Sequence, residues 1–279
     1  MKQRVITGLI FGIVFIGALL LMNTFVFPIF IVALSCVAVY EIEKAVGLNN
    51  KLISAATLVV SAFIPIFTNF GIKIPVGAFG CIYVVLILIF MLILFEKTKF
   101  EQAVISLFAS VCVPYSFSLL IVFRDIPDYI EGYTKTDGVF LIVLALLVSW
   151  MTDIFAYFVG SKFGKHKLCP KISPKKSVEG AIGGVAGAVL LNTLLLFVFK
   201  KFFFQNGSDI SYIAVGILSA ILSVISMFGD LTASTLKRNF GIKDFGKILP
   251  GHGGIMDRFD SMLFVLPTLY AAVYLANSF

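Results

Sequence analysis

The sequence predicts an all-α integral membrane protein: a polytopic bundle of about nine transmembrane helices with functional loops on the cytoplasmic side. Three observations predict it. Charged residues make up 13% of the chain and hydrophobic ones 59%, with 30 phenylalanines among 279 residues, whereas soluble domains average about 25% charged. Mean hydropathy is +1.04. Uncharged stretches also recur at lengths near the roughly 20 residues that cross a bilayer as a helix.

The candidate spans, in order, are 5–22, 25–40, 52–67, 76–95, 103–123, 139–160, 181–199, 211–229 and 261–279. The first resembles a signal peptide in opening on Met1, Lys2, Gln3 and Arg4. Its apolar run is long enough to span, however, and no small-x-small cleavage pattern follows, so it reads as a retained helix. Only Asn23 and Thr24 separate it from the second span, which suggests a tight hairpin or a re-entrant pair. Gly180, at the start of the seventh span, and Gly183, Gly184 and Gly187 within it permit close helix packing. Asn192 in the same span predicts an interhelical hydrogen bond. Cys36, Cys81, Cys112 and Cys169 form no CxxC pair and read as small core residues.

With the N-terminus in the cytoplasm and alternating spans, 17 lysines and arginines fall inside and 5 outside. That bias is the orientation signal of a membrane protein. It also explains the net charge of +7 better than nucleic-acid binding does. The connection 124–137, with four carboxylates, falls outside. The long connections 161–180 and 231–260 fall inside. Residues 1–138 therefore read as an N-terminal set of helices scaffolding a lipid cleft, and residues 139–279 as a C-terminal catalytic region.

Four carboxylates converge on the cytoplasmic face in this reading. Asp153 lies in the sixth span, Asp230 closes the eighth, and Asp257 and Asp260 open the ninth. A charge near the bilayer centre costs about 2.5–3.5 kcal/mol, less near the interface, and unpaired anions would also repel one another. Something cationic must sit among them, either the neighbouring lysines and arginines or a divalent metal, which oxygen ligands suit. If the eighth helix continues past Gly229, Asp230, Ser234, Lys237 and Arg238 share one face. If the ninth begins near Gly254, Asp257 and Asp260 share another. Between them, His252, Gly253 and Gly254 end a turn whose backbone N–H groups can cradle an anion. Metal-binding carboxylates beside cationic and backbone phosphate contacts are what phosphoryl or nucleotidyl transfer requires. The plainer alternative is an interfacial salt-bridge cluster around Asp257, Arg258 and Asp260, and lysines in 161–180 that only hold topology.

Ser234, Leu236, Lys237, Arg238, Lys243, Asp244, Gly246, Leu249, Pro250, His252, Gly253, Gly254, Ile255, Asp257, Arg258, Phe259 and Asp260 stand in an order that resembles the motif of the bacterial phosphatidate cytidylyltransferases, or CDP-diacylglycerol synthases. A second block resembles the same family: Asp153, Ala156, Tyr157 and Gly160, then Phe163, Gly164, Lys165, Pro170, Ser173, Pro174, Lys176, Ser177, Glu179 and Gly180. The two blocks and the residues between them cover about 40% of the chain. The resemblance implies that CTP and phosphatidate are converted to CDP-diacylglycerol and pyrophosphate. It implies Mg²⁺, with a second, monovalent cation such as K⁺ as a candidate, and a multi-pass inner (plasma) membrane homodimer. Carried onto this chain, it makes Asp230, Asp257 and Asp260 the catalytic, metal-binding carboxylates. Ser234, Lys237, Arg238, His252, Gly253, Gly254, Arg258, Lys176 and Asp153 become substrate contacts. For Asp153 three roles stay open: metal ligand, partner of Lys176 or Arg238, or CTP contact.

Rival readings are weaker. CDP-alcohol phosphatidyltransferases carry a different order of aspartates, glycine and arginine. Polyprenol and phytol kinases also use CTP, without the His-Gly-Gly and Asp-Arg-x-Asp grouping found here. An ion-coupled transporter would place its carboxylates near the midplane of two related halves, but here they gather at one interface.

Overall fold

A computed structural model describes residues 12–72, 75–204, 210–249, 251 and 253–277. The chain is helical almost throughout: α1 (12–20), α2 (Val26–Ala45), α3 (Lys51–Asn69), α4 (Val76–Ile93), α5 (Phe100–Arg124), α6 (Lys135–Phe163), α7 (Val178–Phe202), α8 (Tyr212–Asn239), α9 (Met256–Phe259) and α10 (Met262–Asn277). Among the described residues, eight helical stretches are long and apolar enough to cross a membrane, the last comprising α9 and α10. The remaining expected span, at 5–22, is described only from residue 12, where α1 begins. The architecture is that of a multi-pass all-α membrane protein. A short antiparallel hairpin, β1 (Lys167–Cys169) with β2 (Ser173–Ser177), is an addition that hydropathy could not foresee.

The chain folds into two compact units. One comprises Met1–Val122 with Asn239–Phe259, the other Phe123–Arg238 with Asp260–Phe279. In the first unit, buried polar groups tie helices whose apolar surfaces alone would slide. Asn50 caps α3 by accepting the Leu52 and Ile53 N–H groups at 3.0 and 3.2 Å. Its amide donates to the Phe90 carbonyl and to Thr98 at 2.8 and 2.9 Å. Glu43 of α2 is buried and accepts from two α3 hydroxyls, Ser54 at 2.7 Å and Thr57. Phe259 is buried between the rings of Phe15 and Phe117, at 5.7 and 5.6 Å between centroids.

In the second unit, α6 and α7 pack closely because glycine removes side chains where the helices meet. An added Cβ at Gly184 would lie 2.7 Å from the Thr152 carbonyl oxygen, and one at Gly180 would lie 2.6 Å from that of Ala156. Helix α8 buries a polar stripe along its length: Ser219, Ser223, Ser226, Ser234 and Lys237. Two partners of that stripe are visible, Thr152 with Ser223 at 2.8 Å and Asn192 with Ser219 at 3.1 Å. The expected roles of the glycines and of Asn192 are thus met. No disulfide joins the four cysteines; Cys81 is exposed on α4 rather than in a core.

Three expectations change. The second span does not stop at Tyr40. Helix α2 runs to Ala45 and carries Glu41 and Glu43 into the buried interior, so the N-terminal half does contain buried carboxylates within a helix. Helix α6 extends three residues past Gly160. The ninth span is not one helix from Gly254, because it breaks at Asp260 and Ser261 between α9 and α10. The break has a local cause. The Asp260 carboxylate accepts the Ser261 N–H at 2.8 Å, and the Ser261 carbonyl starts the next helix by accepting from Phe264 and Val265. Gly229 of α8 leaves room for this kink, since a Cβ there would lie 3.0 Å from the Asp260 carbonyl oxygen. Asp257 and Asp260 therefore do not lie on one continuous helical face.

Candidate active site

Helix α8 continues past Gly229 to Asn239, which meets the condition for Asp230, Ser234 and Lys237 to share a helix, and the second unit gathers most of the expected polar residues on it and around it. A pocket of about 320 Å³ is lined by Asp153 and Tyr157 of α6, Lys175 and Lys176 of β2, and Asp230 and Ser234 of α8, among others. Each is there for a local reason. Asp153 follows Thr152, whose side chain is fixed to α8, and so sits on the α6 flank beside that contact. Lys176 projects from the hairpin, whose base is held where Ser177 caps α7 by accepting the Gly180 N–H at 3.1 Å. Gly160, Gly164 and Gly180 all crowd the Ser177 hydroxyl closely enough that a side chain on any of them would displace it. The turn before β1 is pinned by Glu179, which accepts from the Lys165 and His166 N–H groups at 3.1 and 3.2 Å.

The electrostatic centre of the pocket is Lys176. Its ammonium pairs directly with Asp230 and lies 3.8 Å from Asp153. The sequence required a cation among these carboxylates, and the structure places one there. Asp260 is buried to 6% exposure, within electrostatic reach of Asp230, Lys237 and Asp153. Ser234 and Lys237 are buried on α8, but Arg238 turns outward and is exposed. The pocket therefore has carboxylates on α6 and α8, with lysines on the hairpin.

Asp257 belongs to the first unit and does something the sequence did not reveal. Its Oδ2 accepts the Phe245 N–H at 2.8 Å and the Gly254 N–H at 2.9 Å, and so closes the loop 245–257 on itself. Gly253, at φ +84°, takes a left-handed conformation that disfavours any side chain. Leu249 and Gly253 form a single bridge across the loop. The glycine turn is thus a built structure, with the Gly254 N–H spent on the Asp257 carboxylate. Arg258 is exposed, and His252 lies outside the described residues.

Sequence reasoning missed Glu41. It is 2% exposed on α2 and accepts the Met256 N–H at 2.9 Å, next to Asp257. The available signal was a pair of glutamates immediately after an apolar run, which a span cut at the first charge discards.

Among the described residues, no three Asp, Glu, His or Cys side chains stand close enough together to hold an ion as they are arranged. The donor chemistry nonetheless suits a hard cation: Asp230 and Asp153 already share a positive charge, and Asp260 is buried near both.

The Cytidylyltransferase family model matches residues 2–276, essentially the whole chain. The chain belongs to the cytidylyltransferase family. A phosphatidate cytidylyltransferase of Bacillus subtilis is 36% identical over 280 aligned residues, covering 97% of this chain and 96% of that protein. One from Staphylococcus haemolyticus is 47% identical over 136 residues, 49% of this chain and 50% of its own length. A Staphylococcus aureus phosphatidate cytidylyltransferase is 46% identical over 136 residues. Membership in the cytidylyltransferase family extends through α1–α5 as well as the two motif blocks, so the N-terminal helices are family structure and not an unrelated appendage.

Proposed function

We propose that this protein transfers CMP from CTP to phosphatidate, forming CDP-diacylglycerol and pyrophosphate. Its whole-length membership of the cytidylyltransferase family, with relatives named phosphatidate cytidylyltransferase, carries the reading. A phosphate oxygen of phosphatidate attacks the α-phosphorus of CTP, and the bond from that phosphorus to the oxygen bridging to the β-phosphate breaks. No side-chain nucleophile is needed, so catalysis rests on alignment and on stabilising charge at the leaving group.

Within the pocket, Lys175 and Lys176 are the cations available to a triphosphate, and Lys176 would be freed for it once the carboxylates hold a metal. Ser234 and Lys237 line or adjoin the same face of α8. Arg238, Arg258, His252 and the Gly253-Gly254 turn are further substrate contacts carried over from the motif, and Asp153 serves to hold Lys176. Asp230, Asp257 and Asp260 are the carboxylates assigned to Mg²⁺, with a monovalent cation such as K⁺ as its companion. When bound, Mg²⁺ would neutralise charge on the pyrophosphate leaving group. In this account residues 1–138 scaffold the lipid cleft and residues 139–279 carry the catalysis. The N-terminus and the active site face the cytoplasm, a placement supported by the excess of lysine and arginine in the connections on that side. The protein acts in the cell inner (plasma) membrane, where phosphatidate presents its phosphate at interface depth, and works as a homodimer.

The purified protein incubated with CTP labelled in cytidine tests this. Label should enter the organic phase only when phosphatidate and Mg²⁺ are both present. Label entering without phosphatidate, or CTP hydrolysed with no labelled lipid, would contradict the proposal.

A further inference from the structure

We infer that Glu41 is a positioning residue for Asp257, holding from the second helix the loop that presents this carboxylate; the inference rests on the catalytic role proposed for Asp257. Glu41 is 2% exposed and accepts the Met256 N–H at 2.9 Å through Oε2. Its other oxygen is buried without a hydrogen bond of good geometry among the described residues, and the neighbouring Ile255 N–H also acts on the carboxylate. Gly246 and Gly254, from opposite ends of the loop, both back onto this carboxylate. A Cβ at either position would overlap it. The loop is therefore moulded on Glu41 through the Met256 N–H, the neighbouring Ile255 N–H and two glycines.

Stability does not account for this choice of residue. A buried carboxylate with one poorly satisfied oxygen is costly, and an apolar side chain of similar volume in its place is often neutral or stabilising. A leucine would satisfy the fold of a helix this greasy. What leucine cannot do is accept the Met256 N–H, the amide directly before Asp257. Asp257 in turn holds Gly254, one of the two glycines resting on Glu41. Glu41 and Asp257 thus clamp the same turn from its two sides. Losing the first would leave the second on a loop free to shift.

The test compares Glu41→Gln, which keeps an oxygen acceptor of the same reach, with Glu41→Leu, which does not. Hydrogen exchange of peptides spanning 245–259 is followed without CTP or metal. The kcat, the CTP KM and the Mg²⁺ concentration for half-maximal activity are measured alongside. In Glu41→Leu, the Gly254 and Met256 amides should exchange at least about tenfold faster, with global melting unchanged or raised. Its kcat should fall at least about tenfold while the CTP KM stays within about threefold, the pattern of a displaced transition-state group. Glu41→Gln should stay within about threefold of the unmodified protein in each readout. Unchanged exchange or unchanged kcat in Glu41→Leu overturns the inference, as does a Glu41→Gln variant impaired as severely as Glu41→Leu. Should the unmodified protein transfer no CMP, the functional proposal fails while the exchange contrast still judges the tie between Glu41 and the loop.

Discussion

Lys176 is the cation that two carboxylates share, so its removal probes the pocket most sharply. Lys176→Met keeps most of the stem and deletes the charge. At the 3.8 Å separating Nζ from Asp153, Coulomb's law with an effective dielectric constant of about 20 gives roughly 4 kcal/mol. Little of that survives, because the Asp153 side chain is 46% exposed and pairs open to water net about 0.2–1 kcal/mol. Asp230 is in direct contact and only 22% exposed, so its loss lies between the exposed and the buried cases, at about 1–2 kcal/mol. The combined effect is about 2 kcal/mol, a fall in melting temperature of roughly 4–8 °C for a chain of this size. Adding Asp230→Asn removes the stranded anion and should recover at least about half of that fall, since groups in contact are not additive. Activity should not return: kcat/KM for CTP is expected to be at least about 100-fold down in both variants. Melting is followed in detergent and turnover by labelled lipid. If the two single losses in melting temperature merely add in the double variant, Lys176 and Asp230 are not a pair. If the double variant regains turnover, Lys176 is not a substrate contact.

Asp257→Asn keeps an oxygen that can accept from Phe245 and Gly254, so the loop and the melting temperature should hold while turnover falls at least about 100-fold; near-normal turnover would remove Asp257 from the catalytic carboxylates. Gly184→Leu forces a side chain into the contact with α6 and should cost about 1–3 kcal/mol, read as a melting temperature several degrees lower. Asn192→Leu loses one interhelical hydrogen bond, worth about 0.6 kcal/mol in comparable membrane cases. Its melting temperature should move by no more than about 2 °C and its turnover should not change. Raising salt should raise the CTP KM more than it lowers kcat, because lysines of the hairpin act on the nucleotide partly at a distance screened within about 8–10 Å; equal effects on both would argue against such attraction.

How much of this was legible in the sequence follows from the range of each signal. Long apolar runs report helices directly, because the bilayer demands a fixed length, and α3 to α8 lie where the runs lie. Gly184 and Asn192 were also readable, since a small or polar residue in a span has few other uses. The continuation of α8 through Ser234 and Lys237 was a condition of the spacing argument, and the helix meets it. Three features were out of reach. The kink at Asp260 depends on Gly229, thirty-one residues earlier, and no local pattern records a space left on another helix. The direct pairing of Lys176 with Asp230, where the sequence had offered Lys176 only as one of two partners for Asp153, depends on the hairpin, whose short strands carry no apolar alternation. Glu41 looked like the first residue after a membrane span, and only its contact with a loop more than two hundred residues later gives it meaning. Spans end in sequence where charge begins, but helices end where their hydrogen bonds do.

The most direct test of the account is which phosphate of CTP reaches the lipid. Parallel reactions with phosphatidate and Mg²⁺ would use CTP labelled at the α- or the γ-phosphorus, followed by extraction of the lipid. Transfer of CMP predicts α-label in the lipid and γ-label in pyrophosphate. The γ-label in lipid, with α-label left in a soluble nucleotide, would mean a lipid kinase and would contradict the central claim.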